Sequence, residues 1–105
     1  MQVQEKMVEI KPELHKEVGR LSNALVVVKV YNWSERNEDG FDVEIFCYDA
    51  NNPKEYIECW VTNTYTEGEE KDAMNRARAV LRTVKKWFEY DKEVTVESKV
   101  VKYTA

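Results

Sequence analysis

From residue 41 to 49 the chain reads FDVEIFCYD, and its apolar and polar positions alternate with a period of two. Successive side chains of a strand point to opposite faces, so Phe41, Val43, Ile45 and Cys47 fall on one side and Asp42, Glu44, Phe46 and Tyr48 on the other. Residues 24–33, ALVVVKVYNW, are β-branched and aromatic, and the polar stretch after them ends in Asp39-Gly40, a strong turn pair. Beyond the turn residues ANNPK, residues 55–65 alternate again, with Ile57, Cys59 and Val61 opposed to Tyr56, Glu58, Trp60 and Thr62. The pattern predicts three antiparallel strands in a meander.

At residues 67–90 the period becomes helical. Ala73, Met74, Ala77, Val80, Leu81, Val84, Trp87 and Phe88 form one stripe, and Thr66 with Glu69 three residues on has the spacing of a capping box. A shorter helix is expected over residues 12–22, where Leu14, Val18 and Leu21 follow Pro12, a residue favoured at the first helical position. Gly19 weakens that helix. Residues 1–11 read as a helical extension, an edge strand or a flexible end. Residues 93–103 read as a fourth strand whose alternation slips between Val96 and Val100-Val101, as a bulge near Ser98 would produce.

The expected fold class is α+β: an antiparallel meander sheet of three to four strands packed on one long helix, with a short N-terminal helix. At 105 residues, without a repeat or a Gly/Ser- or Pro-rich linker, the chain fits a single domain, 1–105. It contains neither a signal-peptide pattern nor about 18 consecutive apolar residues, so a cytoplasmic location without membrane contact is the expectation.

Charge is unevenly spread beneath the net −4. Residues 1–34 carry five Lys/Arg against four Asp/Glu, residues 35–72 three against twelve, and residues 73–105 eight against four. An acidic middle is a poor cradle for a phosphate backbone, whose affinity for proteins comes largely from Lys and Arg, and suits a basic partner instead.

The sheet register lets the outward face be written down. If Val26, Val28 and Val30 point to the long helix, Tyr31, Trp33, Phe46, Tyr48, Tyr56 and Trp60 point away from it, interleaved with Asp42, Glu44 and Glu58. An exposed face this rich in Tyr and Trp marks an interaction site, whereas a covering layer from the N-terminal segment would make the same rings ordinary core. The corresponding function is a non-catalytic protein–protein interaction module, with a homodimer through the same face equally compatible. A small acidic domain of this kind could occupy the basic channel of a nucleic-acid-binding enzyme as an inhibitor. Compact phage-encoded inhibitors of host defence are similar in general style, which brings a viral origin into the expectation.

The alternative is nucleic-acid binding through the basic side of the long helix, Arg78, Arg82, Lys85 and Lys86, with Arg76 nearby. The order helix, three strands, helix over about residues 12–88 resembles the double-stranded-RNA-binding domain, with GEEKDAMNRARAVL where that family begins its second helix. The resemblance implies phosphate contacts from a lysine cluster at that helix start. Here those positions are Glu69, Glu70, Lys71 and Asp72, so nucleic acid is the lesser expectation.

Catalytic readings find no support in the residues. His15 is the only histidine, next to Leu14 and Lys16 on the short helix, where a surface role is expected. Cys47 and Cys59 form no CxxC pair and read as reduced core thiols, both inward in this register. Neither a Gly-rich phosphate loop nor an HExxH or EF-hand pattern occurs, and no cofactor or metal is expected.

Overall fold

The computed structural model describes residues 2–33 and 40–102, of which residues 2–5 are described by backbone alone. In chain order the elements are α1 (Gln2–Val18), β1 (Ala24–Asn32), β2 (Phe41–Asp49), β3 (Tyr56–Tyr65), a single 3-10 turn (Glu67–Glu69), α2 (Glu70–Trp87) and β4 (Val94–Lys102). The strands form one sheet in the order β3-β2-β1-β4. The meander is as expected, with β1–β2 and β2–β3 antiparallel.

Three expectations are corrected. The sheet is mixed, because β4 pairs with β1 in parallel. A helix that follows one strand returns the chain to the end where that strand began, so the next strand runs in the same direction; α2 makes that return from β3 at one edge to β4 at the other. The bulge expected near Ser98 is absent, and the β1–β4 register runs unbroken from Ala24↔Val94 to Asn32↔Lys102. Finally, the N-terminal helix is long. It starts at Gln2, and Pro12 lies inside it.

A proline within a helix costs about 3 kcal/mol through the missing hydrogen bond and the ring's clash with the preceding turn. The pattern of burial explains why α1 runs through it. Met7, Ile10, Leu14 and Val18 are all buried on one side, and each buried apolar side chain contributes roughly 1.5–3 kcal/mol. Together they outweigh the proline. Gly19 stands just past the end of the helix, its N–H donating to the His15 carbonyl at 2.9 Å.

Both helices pack on the same side of the sheet. Val26, Val28 and Val30 of β1 and Phe41, Val43, Ile45 and Cys47 of β2 form one cluster with the buried side chains of α1 and with Ala73, Ala77, Val80, Val84 and Phe88. The alanines on the sheet-facing side of α2 allow its backbone to approach the strands closely. At the start of this helical segment Thr66 donates from its backbone N–H and its hydroxyl to the Glu69 carboxylate, at 2.9 and 2.8 Å, which holds Glu69 below its usual pKa. The Thr66/Glu69 spacing had predicted that pairing.

The expected Asp39-Gly40 turn lies outside the described residues at Asp39. Gly40 itself has φ +127°, and a Cβ added there would collide with the Tyr65 carbonyl oxygen. Any side chain at this position is therefore both strained and obstructed.

Two measurements probe this frame. Pro12→Ala is expected to raise stability by about 1–3 kcal/mol in denaturant unfolding, since the helix hydrogen bond is regained without disturbing the buried side. Gly40→Ala is expected to lower it by about 1–3 kcal/mol or more.

Candidate functional site: the open face of the sheet

With both helices on one side, the other side of the sheet is uncovered among the described residues. The alternation of β1 puts Leu25, Val27, Lys29 and Tyr31 there, and the register brings Asp42, Glu44, Phe46 and Tyr48 beside them. Trp33 continues this side just beyond β1, its ring stacked on Tyr31 at 5.5 Å and 15°.

β3 departs from the sequence-based assignment. Its pairing with β2 shifts twice, between Cys47 and Tyr48 and between Val43 and Glu44. Tyr56 pairs with Tyr48 on the open face, but the first shift leaves Ile57 without a counterpart, and the next residues exchange sides: Glu58 pairs with Cys47, Cys59 with Phe46 and Trp60 with Ile45. Glu58 and Trp60, expected outward, therefore face the helices, and Cys59 and Val61, expected inward, lie on the open side, with Val61 paired to Glu44. An extra residue in one strand reverses every alternation after it. Trp60 packs against the core, and its indole Nε1 donates to Glu13 of α1 at 2.8 Å. The second shift is accompanied by buried Thr62 donating to the Val43 carbonyl at 3.1 Å, and by a buried Asn63 side-chain oxygen with no hydrogen-bond partner among the described residues.

Seven of the nine expected partner-binding residues thus converge on one face: Tyr31, Trp33, Asp42, Glu44, Phe46, Tyr48 and Tyr56. Their rings are not equally available. Phe46 and Tyr31 are only 4% and 8% exposed although no helix among the described residues covers them. Neighbouring side chains do so. Phe46 meets Tyr56 edge-on at 5.0 Å, Tyr48 at 6.1 Å and Tyr31 at 5.9 Å, in the offset and edge-to-face arrangements that ring quadrupoles favour.

The centre of this cluster is Lys29, a residue the sequence reading passed over. Its ammonium lies 4.2 Å from the Phe46 ring centroid, 5.1 Å from that of Tyr48 and 5.9 Å from that of Tyr31, and it donates to the Tyr48 hydroxyl at 2.5 Å. The signal was available, since the period that sends Tyr31 outward sends Lys29 outward too. A cation over ring faces contributes about 0.5–2 kcal/mol depending on desolvation.

Two carboxylates complete the face. Asp42 accepts from the Trp33 indole at 2.9 Å. Glu44 stands opposite Lys29 in the register; its pKa is raised, first by burial and then by Asp42, with Lys29 opposing. The Cys59 thiol is likewise raised, by burial and then by Glu44 and Glu58, while Cys47 on the helix side is pushed up to about 11, chiefly by burial. Neither thiol has thiolate character at neutral pH.

The remaining candidates lie apart. Arg78, Arg82, Lys85 and Lys86 are exposed on α2, on the opposite side of the sheet from the aromatic cluster, with Arg78 donating to Asn75 of its own helix. Arg76 is held by the Tyr65 hydroxyl at 3.3 Å. His15 is exposed, as expected, and lies 4.7 Å from the Phe88 ring. Among the described residues no group of three or more His, Cys, Asp or Glu is placed to hold a metal ion, and no helix is long and apolar enough to cross a membrane. Comparison with protein-family models, curated proteins and solved structures gives no significant match.

The raised pKa of Glu44 fixes a sign. Its folded-state pKa lies above the unfolded value, so between the two the folded chain holds more protons and stability falls as pH rises through that window. Stability measured from about pH 4 upward is expected to show this decline beginning near 4.5, the ordinary value of Glu44. Glu44→Gln should remove this residue's part of the slope and leave the chain more stable than the wild type at neutral pH.

Proposed function

We propose that this protein is a non-catalytic interaction module that binds a protein partner through the open face of its sheet. The observation that carries the reading is a sheet face left uncovered among the described residues, where α1 could have formed a second layer but packs beside α2 instead. On that face the most exposed apolar side chains among the described residues are Tyr56 and Val61, 52% and 45% exposed, next to half-buried Tyr48 and Trp33. Buried Phe46 and Tyr31 serve as a rigid floor. Rings held in place by their neighbours lose little freedom on binding, which favours affinity.

The half-buried carboxylates Asp42 and Glu44 select a partner with basic groups, while Lys29, committed to its rings and to Tyr48, balances part of their charge. Orientation and discrimination come from these charges and affinity from covering the rings. A nucleic-acid-binding protein offers such a basic surface, and occupying it would exclude the nucleic acid. That is the inhibitory version of the same reading.

The test compares two surfaces on one scaffold. Wild type, the open-face variant Tyr56→Ala/Val61→Ser and the helix-face variant Arg82→Glu/Lys86→Glu are used as bait in a native lysate, after circular dichroism shows that all three are folded. The open-face variant is expected to lose at least ten-fold in captured partner, and the helix-face variant to retain it. The reverse pattern, particularly with nucleic acid captured at low salt and released at high salt, would overturn the proposal in favour of binding through α2.

A further inference from the structure

β4 is an edge strand whose nine residues pair with β1 on one side, and among the described residues no strand pairs with its other side. A long regular edge templates further pairing unless a proline, a bulge or a run of like charge prevents it. β4 has none of these. Its central charges, Glu97 and Lys99, are opposite in sign, flank Ser98 and share the open face with Val27 and Lys29.

Read outward from Ser98, the strand complements itself when reversed. Glu97 answers Lys99, Val96 answers Val100, and Thr95 answers Val101. A second copy laid antiparallel along this edge, with a two-fold axis at Ser98, sets Glu97 opposite the partner's Lys99, and Lys99 opposite the partner's Glu97. On the helix side the same register places Val96 against the partner's Val100. Val100 is 56% exposed in the single chain and borders a groove of about 260 Å³ between β4 and α2, which includes Val28, Val30 and Leu81. The opposite edge of the sheet lacks this regularity, since β3 carries both register shifts.

We propose that β4 is a self-recognition edge through which two copies of this chain form an isologous dimer with one continuous eight-stranded sheet. A two-fold axis normal to the sheet keeps both open faces on the same side. The dimer therefore presents two copies of the aromatic face to one partner, a bivalent arrangement. The pairing itself stands or falls independently of what that face binds.

Sedimentation equilibrium of the full chain across a concentration series is expected to show the 12.4 kDa species giving way to one of twice that mass. Glu97→Lys and Lys99→Glu each set like charges opposite one another and should weaken association at least ten-fold. An equimolar mixture of these two single variants restores opposite charges across the seam and should dimerise, which separates repulsion from misfolding. The double reversal within one chain should also restore the dimer. A wild type that stays monomeric throughout overturns the proposal, as does a mixture that fails to associate. A dimer unaffected by either single reversal but lost in Tyr56→Ala would overturn it too, by placing the interface on the aromatic face.

Discussion

Burial of the inward side of β1 and β2 is the constraint on which the molecule depends. Val26, Val28, Val43 and Ile45 are essentially inaccessible, and at roughly 1.5–3 kcal/mol for each such side chain no arrangement that left them wet would be stable. A strand buries its alternate residues together, so covering one side required helical surface along the whole sheet. α2 lies on that side across all four strands, and α1 reaches β3 and β2 beside it. With both helices committed there, the other side had to become compatible with water or with a partner.

The open face meets that requirement by packing laterally. Phe46 and Tyr31 are buried, pack against each other and neighbouring rings, and have the Lys29 ammonium over them, so the sheet has a second, thinner layer to which its own strands contribute. This changes what an aromatic face means energetically. Rings that already bury one another cannot yield their full transfer free energy to a partner, so the contribution of this face comes from partly exposed side chains such as Tyr56, Val61, Tyr48 and Trp33. At about 25 cal/mol per Å², such partial exposure supports a modest interface unless it is repeated or supplemented by charge. Asp42 and Glu44 provide the charge, and the raised pKa of Glu44 marks the cost of holding a carboxylate half-buried among rings.

The alternation of β1 and β2 was legible because both strands are regular and one side of each is fully buried, so period two survives intact. β3 was not legible for a local reason. EYIECWVTNTY alternates cleanly in the sequence, yet the pairing skips Ile57 and shifts again between Val43 and Glu44, and only the partner strand reveals such an offset. Trp60 and Glu58 changed sides as a result, and Cys59 with them. The direction of β4 depends on where α2 delivers the chain, which no residue of β4 encodes. Pro12 misled differently: its preference for the first turn is real, but it was outweighed by four buried side chains on the same helix.

The two edges of the sheet show how irregularity and charge act together. β3 exposes Tyr56, Ile57 and Val61, a hydrophobic edge that would be liable to pair indiscriminately were it flat. Its two register shifts twist and bend it, which spoils an extended ladder with another strand. β4 is straight in register but carries Glu97 and Lys99 on one side of the sheet. Charges of one sign there would have repelled a second copy, whereas an opposite pair around Ser98 favours an antiparallel copy in the register centred on Ser98 and penalises the two neighbouring ones, which set Glu97 against Glu97 or Lys99 against Lys99. Thus the edge that lacks a structural guard has an electrostatic one, and the form of that guard is selective rather than prohibitive.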